Sequence, residues 1–224
     1  MKQIFLTMIA LLTVMQGWAQ MGILVTMETP AEEVELVLYW NGSGNVIANG
    51  VVCEVWNNPG IPVINGKVEL VADGDVELFT LICDGNQLTK LDVSKSPKLT
   101  GLWCNSNQLT DLDVSKNIEL THLFCYVNQL TNLDLSKCPN IEHLDAANQQ
   151  VEITIPHNAT TFSNPIYYRN PTAIEKIVID GVAYAEDAVV PIAENTISVS
   201  FTSTAIGDDA APFGGTITIN RSDI

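Results

Sequence analysis

Two histidines, His122 and His143, stand 21 residues apart, with Asp145 two positions beyond the second. Two imidazoles and a carboxylate are the residue types that hold a transition metal. Five cysteines, Cys53, Cys83, Cys104, Cys125 and Cys138, add the groups used for zinc binding, disulfides or redox exchange. The 21-residue spacing sets the two histidines side by side with Asp145 along the same strand but assures no third ligand, and the cysteines make a ladder rather than a converging set, so no metal and no cofactor is expected. No Ser-His-Asp order, glycine-rich phosphate loop or Cys-x-x-Cys pair occurs. Asp73-Gly74-Asp75 is too short for a calcium loop, and no two carboxylates stand out as a hydrolytic pair. A non-enzyme is expected.

The cysteines and histidines are positioned by a repeat. LFTLICDGNQLTKLDVSKSPK from Leu78, LTGLWCNSNQLTDLDVSKNIE from Leu99 and LTHLFCYVNQLTNLDLSKCPN from Leu120 align without a gap at a period of 21 residues. Cys83, Cys104 and Cys125 form one column, and Asn86, Asn107 and Asn128 another. Apolar residues alternate for a short strand and then point inward around one coil. This pattern predicts a leucine-rich-repeat solenoid whose asparagines satisfy buried backbone groups where the chain leaves the strand. A partial fourth unit starts at Ile141. It carries Ala146 and Gln149 in place of cysteine and asparagine, so the ladder is expected to end before it.

Cysteine in the strand followed by N-Q-L-T-x-L-D-V-S resembles the repeats of bacterial surface proteins of the internalin type, particularly those with a cysteine ladder. The resemblance implies adhesion or recognition, with no catalytic residue in the repeats. It also implies an immunoglobulin-like domain next to them.

Because strand residues alternate between faces, the cysteines and leucines point inward. The outward binding face is then expected at Ile82, Trp103, Asn105, His122, Phe124, Tyr126, His143 and Asp145. Its middle column, Ile82, Trp103, Phe124 and Asp145, forms an apolar, aromatic stripe suited to a protein or carbohydrate ligand. The alternative is a stripe covered by other parts of the chain, in a structural or assembly component of the bacterial envelope. The inward thiols, on parallel strands roughly 4.8 Å apart, are expected to be free and buried. The pairing of Cys53 and Cys138 is left open. The columns Asp92, Asp113, Asp134 and Lys95, Lys116, Lys137 read as solvated surface where opposite charges offset one another.

Outside the repeats, residues 1–19 read as an exported leader: Lys2, an apolar run from Ile4 to Met15, and Gly17-Trp18-Ala19 as a small-x-small cleavage site. The run is too short to span a bilayer, and no membrane-spanning segment follows in the mature chain. The expected location is secreted, periplasmic or cell-surface associated. Residues 20–77 read as a β-structured N-terminal cap, with strands at Val34–Tyr39 and Lys67–Val71 and turns at Asn41–Gly44, Asn57–Gly60 and Asp73–Asp75. Residues 78–150 are the repeats. Residues 151–224 carry short β-rich runs spaced for a sandwich similar to the immunoglobulin-like domain of internalins. The fold expected overall is mainly β. Ten Lys and Arg against 26 Asp and Glu leave a net charge of −16 in 224 residues, which argues against nucleic acid as a partner.

Overall fold

In the computed structural model the described residues are 22–156, 159, 161–163, 167–169, 177–179, 182–184, 189–191, 198–202 and 214–222. The leader expected over residues 1–19 lies outside them. The protein is mainly β, with no helix among the described residues.

The first strands are β1 (Gly22–Glu28), β2 (Glu33–Gly42), β3 (Asn45–Ala48), β4 (Val51–Val52), β5 (Trp56–Pro62) and β6 (Lys67–Asp73). Through the repeats run β7 (Val76–Ile82), β8 (Lys90–Asp92), β9 (Gly101–Trp103), β10 (His122–Phe124), β11 (Asn132–Asp134) and β12 (His143–Asp145). After them come β13 (Gln149–Pro156), β14 (Thr161–Ser163), β15 (Tyr167–Arg169), β16 (Ile177–Ile179), β17 (Val182–Tyr184), β18 (Val189–Pro191), β19 (Ser198–Thr202) and β20 (Gly214–Ser222).

The period of the sequence becomes the register of a sheet. Leu81 lies beside Leu102, Leu102 beside Leu123 and Leu123 beside Leu144, all in parallel pairing. Each step to the next strand is therefore one sequence unit. Leu78, Leu99 and Leu120, then Leu88, Leu109, Leu130 and Val151, then Val93, Val114 and Leu135 are buried at equivalent positions. Each such side chain removed from water contributes roughly 2 kcal/mol, and stacking the units is what buries them.

The N-terminal strands divide between two sheets, and each sheet joins the repeats. A front sheet runs in the order β12-β10-β9-β7-β2-β5, so β2 pairs antiparallel with the first repeat strand and β5 lies outside it. A second sheet runs β4-β3-β6-β1-β8, with β1 pairing antiparallel with β8 on the other side of the first unit. Alternation explains the choice of face: Val34, Leu36 and Leu38 of β2 and Val68, Leu70 and Ala72 of β6 are buried, while Glu33, Glu35, Lys67 and Glu69 are exposed. The strands expected at Val34–Tyr39 and Lys67–Val71 thus lie within β2 and β6.

At Gly42 the φ angle is +110°, and a Cβ there would fall 1.8 Å from the Asp75 carbonyl oxygen. Only glycine lets the 41–44 and 73–75 turns meet backbone to backbone. Beyond the repeats, β13 pairs in parallel with β20, and β20 antiparallel with β19. Farther on, β14 pairs antiparallel with β18 and β16 antiparallel with β17.

Candidate functional site: an aromatic face on the front sheet

On the front sheet, each inward leucine or cysteine leaves its strand neighbours facing out. The pairing sets Ile82 beside Trp103, Trp103 beside Phe124 and Phe124 beside Asp145, and places His122 between Gly101 and His143. The Trp103 and Phe124 rings stack with centroids 5.3 Å apart and planes 9° from parallel. His122 stacks on Trp103 at 6.1 Å and on His143 at 4.6 Å. All four rings, with Ile82, Tyr126 and Asp145, are partly exposed.

Asn105 departs from this pattern. It is only 6% exposed, and its carbonyl accepts hydrogen bonds from Asn107 Nδ2 at 3.2 Å and from the Gly85 backbone at 3.1 Å. It sits where the chain turns out of the strand and is buried there, so it offers little surface to a partner.

The stacking also shows how the histidines are placed. Imidazole lone pairs lie in the ring plane, so two stacked rings send them side by side, away from a common point. His122 Nδ1 is moreover 2.8 Å from Thr121 Oγ1. Among the described residues no group of three or more His, Cys, Asp or Glu side chains is arranged to hold a metal ion.

The face is wider than the repeats. Tyr39 lies directly across from Thr80 in the β2–β7 pairing. Its ring contacts Trp56 at 5.5 Å and Phe79 at 6.1 Å. Trp56 is 66% exposed and holds a φ of +102°, a region that bulky residues rarely occupy. Phe79 reaches the face at a bulge, where the register shifts between Tyr39 and Trp40. Alternation along Val34–Tyr39 signals Tyr39; Trp56, beside a run of turn residues, carries no such signal.

Behind the face run the hydrogen-bond ladders of the turns. Asn107 Oδ1 accepts hydrogen bonds from the Asn86 and Leu88 backbones, and its Nδ2 donates to the carbonyls of Cys83, Cys104 and Asn105. Asn128 repeats the arrangement one unit on, accepting from Leu109 and donating to Cys104 and Cys125. Asn86 instead exchanges both amide bonds with the Glu35 backbone of β2, tying the first unit to the N-terminal strands.

The ladder does not stop before the fourth unit, as the sequence led us to expect. Gln149 Oε1 accepts from the Leu130 backbone at 3.0 Å, and its Nε2 donates to Cys125 and Ala146. What the turn needs is a buried amide, and glutamine supplies one on a longer stem.

The thiol column, Cys83, Cys104 and Cys125, is fully buried and unpaired, as are Cys53 and Cys138. Burial pushes the Cys104 thiol up to about 12 and those of Cys83 and Cys125 well above the ordinary range. A second ladder at the same period escaped the sequence reading. Ser96 Oγ donates to the Leu24 carbonyl, Asn117 Nδ2 to those of Val93 and Ser96, and Cys138 Sγ to that of Val114. Their mutual 21-residue spacing is its signal. The aspartate column has more structure than a solvated surface: Asp92, Asp113 and Asp134 each accept a hydrogen bond from the backbone two residues on, at 2.8 to 2.9 Å.

No protein-family model and no curated protein matches the chain. Among solved structures it is similar to the functional domain of InlJ from Listeria monocytogenes, described as including a cysteine ladder. The two are 18% identical with a TM-score of 0.39, over 62% of this chain and 38% of that one, so the chain spans well under half of that structure's length. No helix among the described residues is long and apolar enough to cross a membrane.

Proposed function

We propose that this chain is a non-catalytic recognition or adhesion protein that binds its partner through the outward face of the front sheet. The stacked, partly exposed rings of Trp103 and Phe124 carry the reading. Aromatic side chains held against one another on a sheet supply large contact area at little entropic cost on binding. In this reading the 21-residue units form a short leucine-rich-repeat solenoid of the internalin type, capped by residues 20–77. Residues 151–224 add an immunoglobulin-like sandwich, and the leader directs export to the cell surface, the periplasm or the medium. The parallel register at one unit per strand and the resemblance of the repeats support it.

The test is a capture experiment from host-surface and envelope extracts together with a glycan panel. It compares the protein with a folded Trp103→Ala, Phe124→Ala variant. Loss of a captured partner in the variant is expected. Equal capture by both proteins would overturn the assignment to this face and favour an envelope-assembly role in which the stripe is packing.

A further inference from the structure

Resting on the recognition reading above, we propose that the front face takes an extended, arginine- or lysine-rich segment of a protein partner. In this proposal β2 and β5 form part of the seat. The first argument is the distribution of charge. The strands β2, β5, β7, β9, β10 and β12 contain no lysine or arginine, yet they carry Glu33, Glu35, Glu77 and Asp145, with Asp84 exposed just after β7. The nearby lysines that form salt bridges do so with acids outside these strands. Lys90 and Lys67 face Glu28 on the second sheet at 2.9 and 3.9 Å, and Lys98 bonds Glu119 at 2.7 Å in the turns. Lys98 also lies within electrostatic reach of Glu77, whereas Glu33, Glu35, Asp84 and Asp145 form no salt bridge among the described residues, so the front face keeps an acidic excess that attracts cations.

The second argument is the way the rings stand. Trp103 and Phe124 each turn one face to the other, as do His122 and His143, and His122 also stacks on Trp103. The apolar stems of arginine and lysine lie along such aromatic surface while their heads reach nearby carboxylates. Trp56, far more exposed and tilted 59° to Tyr39, offers a free face for a guanidinium. Third, six strands span about 24 Å from first to last at roughly 4.8 Å each. That length suits about seven residues of extended peptide.

The experiment is a calorimetric titration of the full chain with three probes: a twelve-residue peptide of alternating arginine and serine, the same peptide with citrulline for arginine, and the neutral hexasaccharide cellohexaose. The arginine peptide is expected to bind and the other two are not. A Glu35→Gln, Asp84→Asn variant and a Trp56→Ala variant should each weaken the arginine peptide about tenfold, the size of losing one well-placed charged or aromatic contact. A control, Glu69→Gln with Asp111→Asn, removes the same charge away from the front strands and should leave affinity within about twofold.

Equal weakening by the control would mean attraction to net charge alone and overturn the proposal, as would binding of cellohexaose in place of the peptide. An unaffected Trp56→Ala variant would overturn the part given to β5. If the arginine peptide fails to bind while Trp103→Ala, Phe124→Ala still loses its captured partner, the cationic segment is wrong and face recognition stands. If neither effect is seen, both readings fall.

Discussion

The indole of Trp103 lies over Gly101, so closely that a Cβ at residue 101 would fall 2.4 Å from the ring's Cζ3 atom. The two residues are on the same strand and face, and the missing side chain is the space the ring occupies. An aromatic at this position could not lie back along its strand over a larger neighbour.

Gly101→Ala is therefore expected to swing the indole off the sheet and open its stack with Phe124, while the inward Leu102 stays in place. What gives way is the far end of a side chain, so the cost to stability is about 1 kcal/mol. Near-ultraviolet circular dichroism and tryptophan emission should change clearly, partner capture should fall, and the thermal midpoint should move little.

Asn107→Ala removes an acceptor for two backbone amides and donors to three carbonyls. Buried backbone groups left unsatisfied cost more than the bonds they made, so a loss of about 3 kcal/mol is expected. Gln149→Ala should cost a comparable amount if the ladder runs on into the fourth unit. Urea unfolding of the two variants checks both, and a near-neutral Gln149→Ala would confine the ladder to the asparagines.

The thiols set the behaviour at high pH. Burial raises Cys53 and Cys138 to about 11 and Cys104 to about 12, above the free-thiol value of about 8.5. A raised folded-state value means the unfolded chain loses its protons first. Stability is thus full below about pH 8.5 and declines as pH rises toward the folded values. Denaturation midpoints from pH 7 to 11 should show this fall, and Cys104→Ala, the residue the fourth unit already carries at Ala146, should lessen it. At pH 8 all five thiols should resist Ellman's reagent until denaturant is added.

Val127 holds a φ of +53°, at the position where the other units have Gly85, Ser106 and Asn148 in the same left-handed conformation. A β-branched residue is the most strained choice there. Val127 is 37% exposed, so its side chain gives up little burial. Val127→Asn is expected to raise stability by about 1 kcal/mol, read as a higher urea midpoint at unchanged slope.

Periodicity makes the repeats legible in the sequence itself. One column of leucines, one of cysteines and one of asparagines, all at 21 residues, define which side faces in, and from that the aromatic stripe follows. What stayed hidden depends on contacts far apart in sequence or on chemistry shared by unlike residues. The antiparallel pairing of β2 with β7 joins residues that no local pattern links, and a bulge at Phe79 breaks the alternation that would have placed its ring. Gln149 serves as an asparagine, and Ser96, Asn117 and Cys138 serve one another's role. Pattern matching by residue type separates groups that a buried carbonyl treats alike.

Asn86, turned toward β2 rather than toward a preceding unit, makes the N-terminal strands a junction that only the first unit has to fit. Every later unit meets its neighbour through the same amide and leucine contacts. An in-frame duplication of one inner unit would therefore leave that junction untouched and lengthen the face by one strand, roughly 4.8 Å. Reach along the sheet is a quantity that genes of this construction can adjust by copying, in equal steps, without redesigning either end.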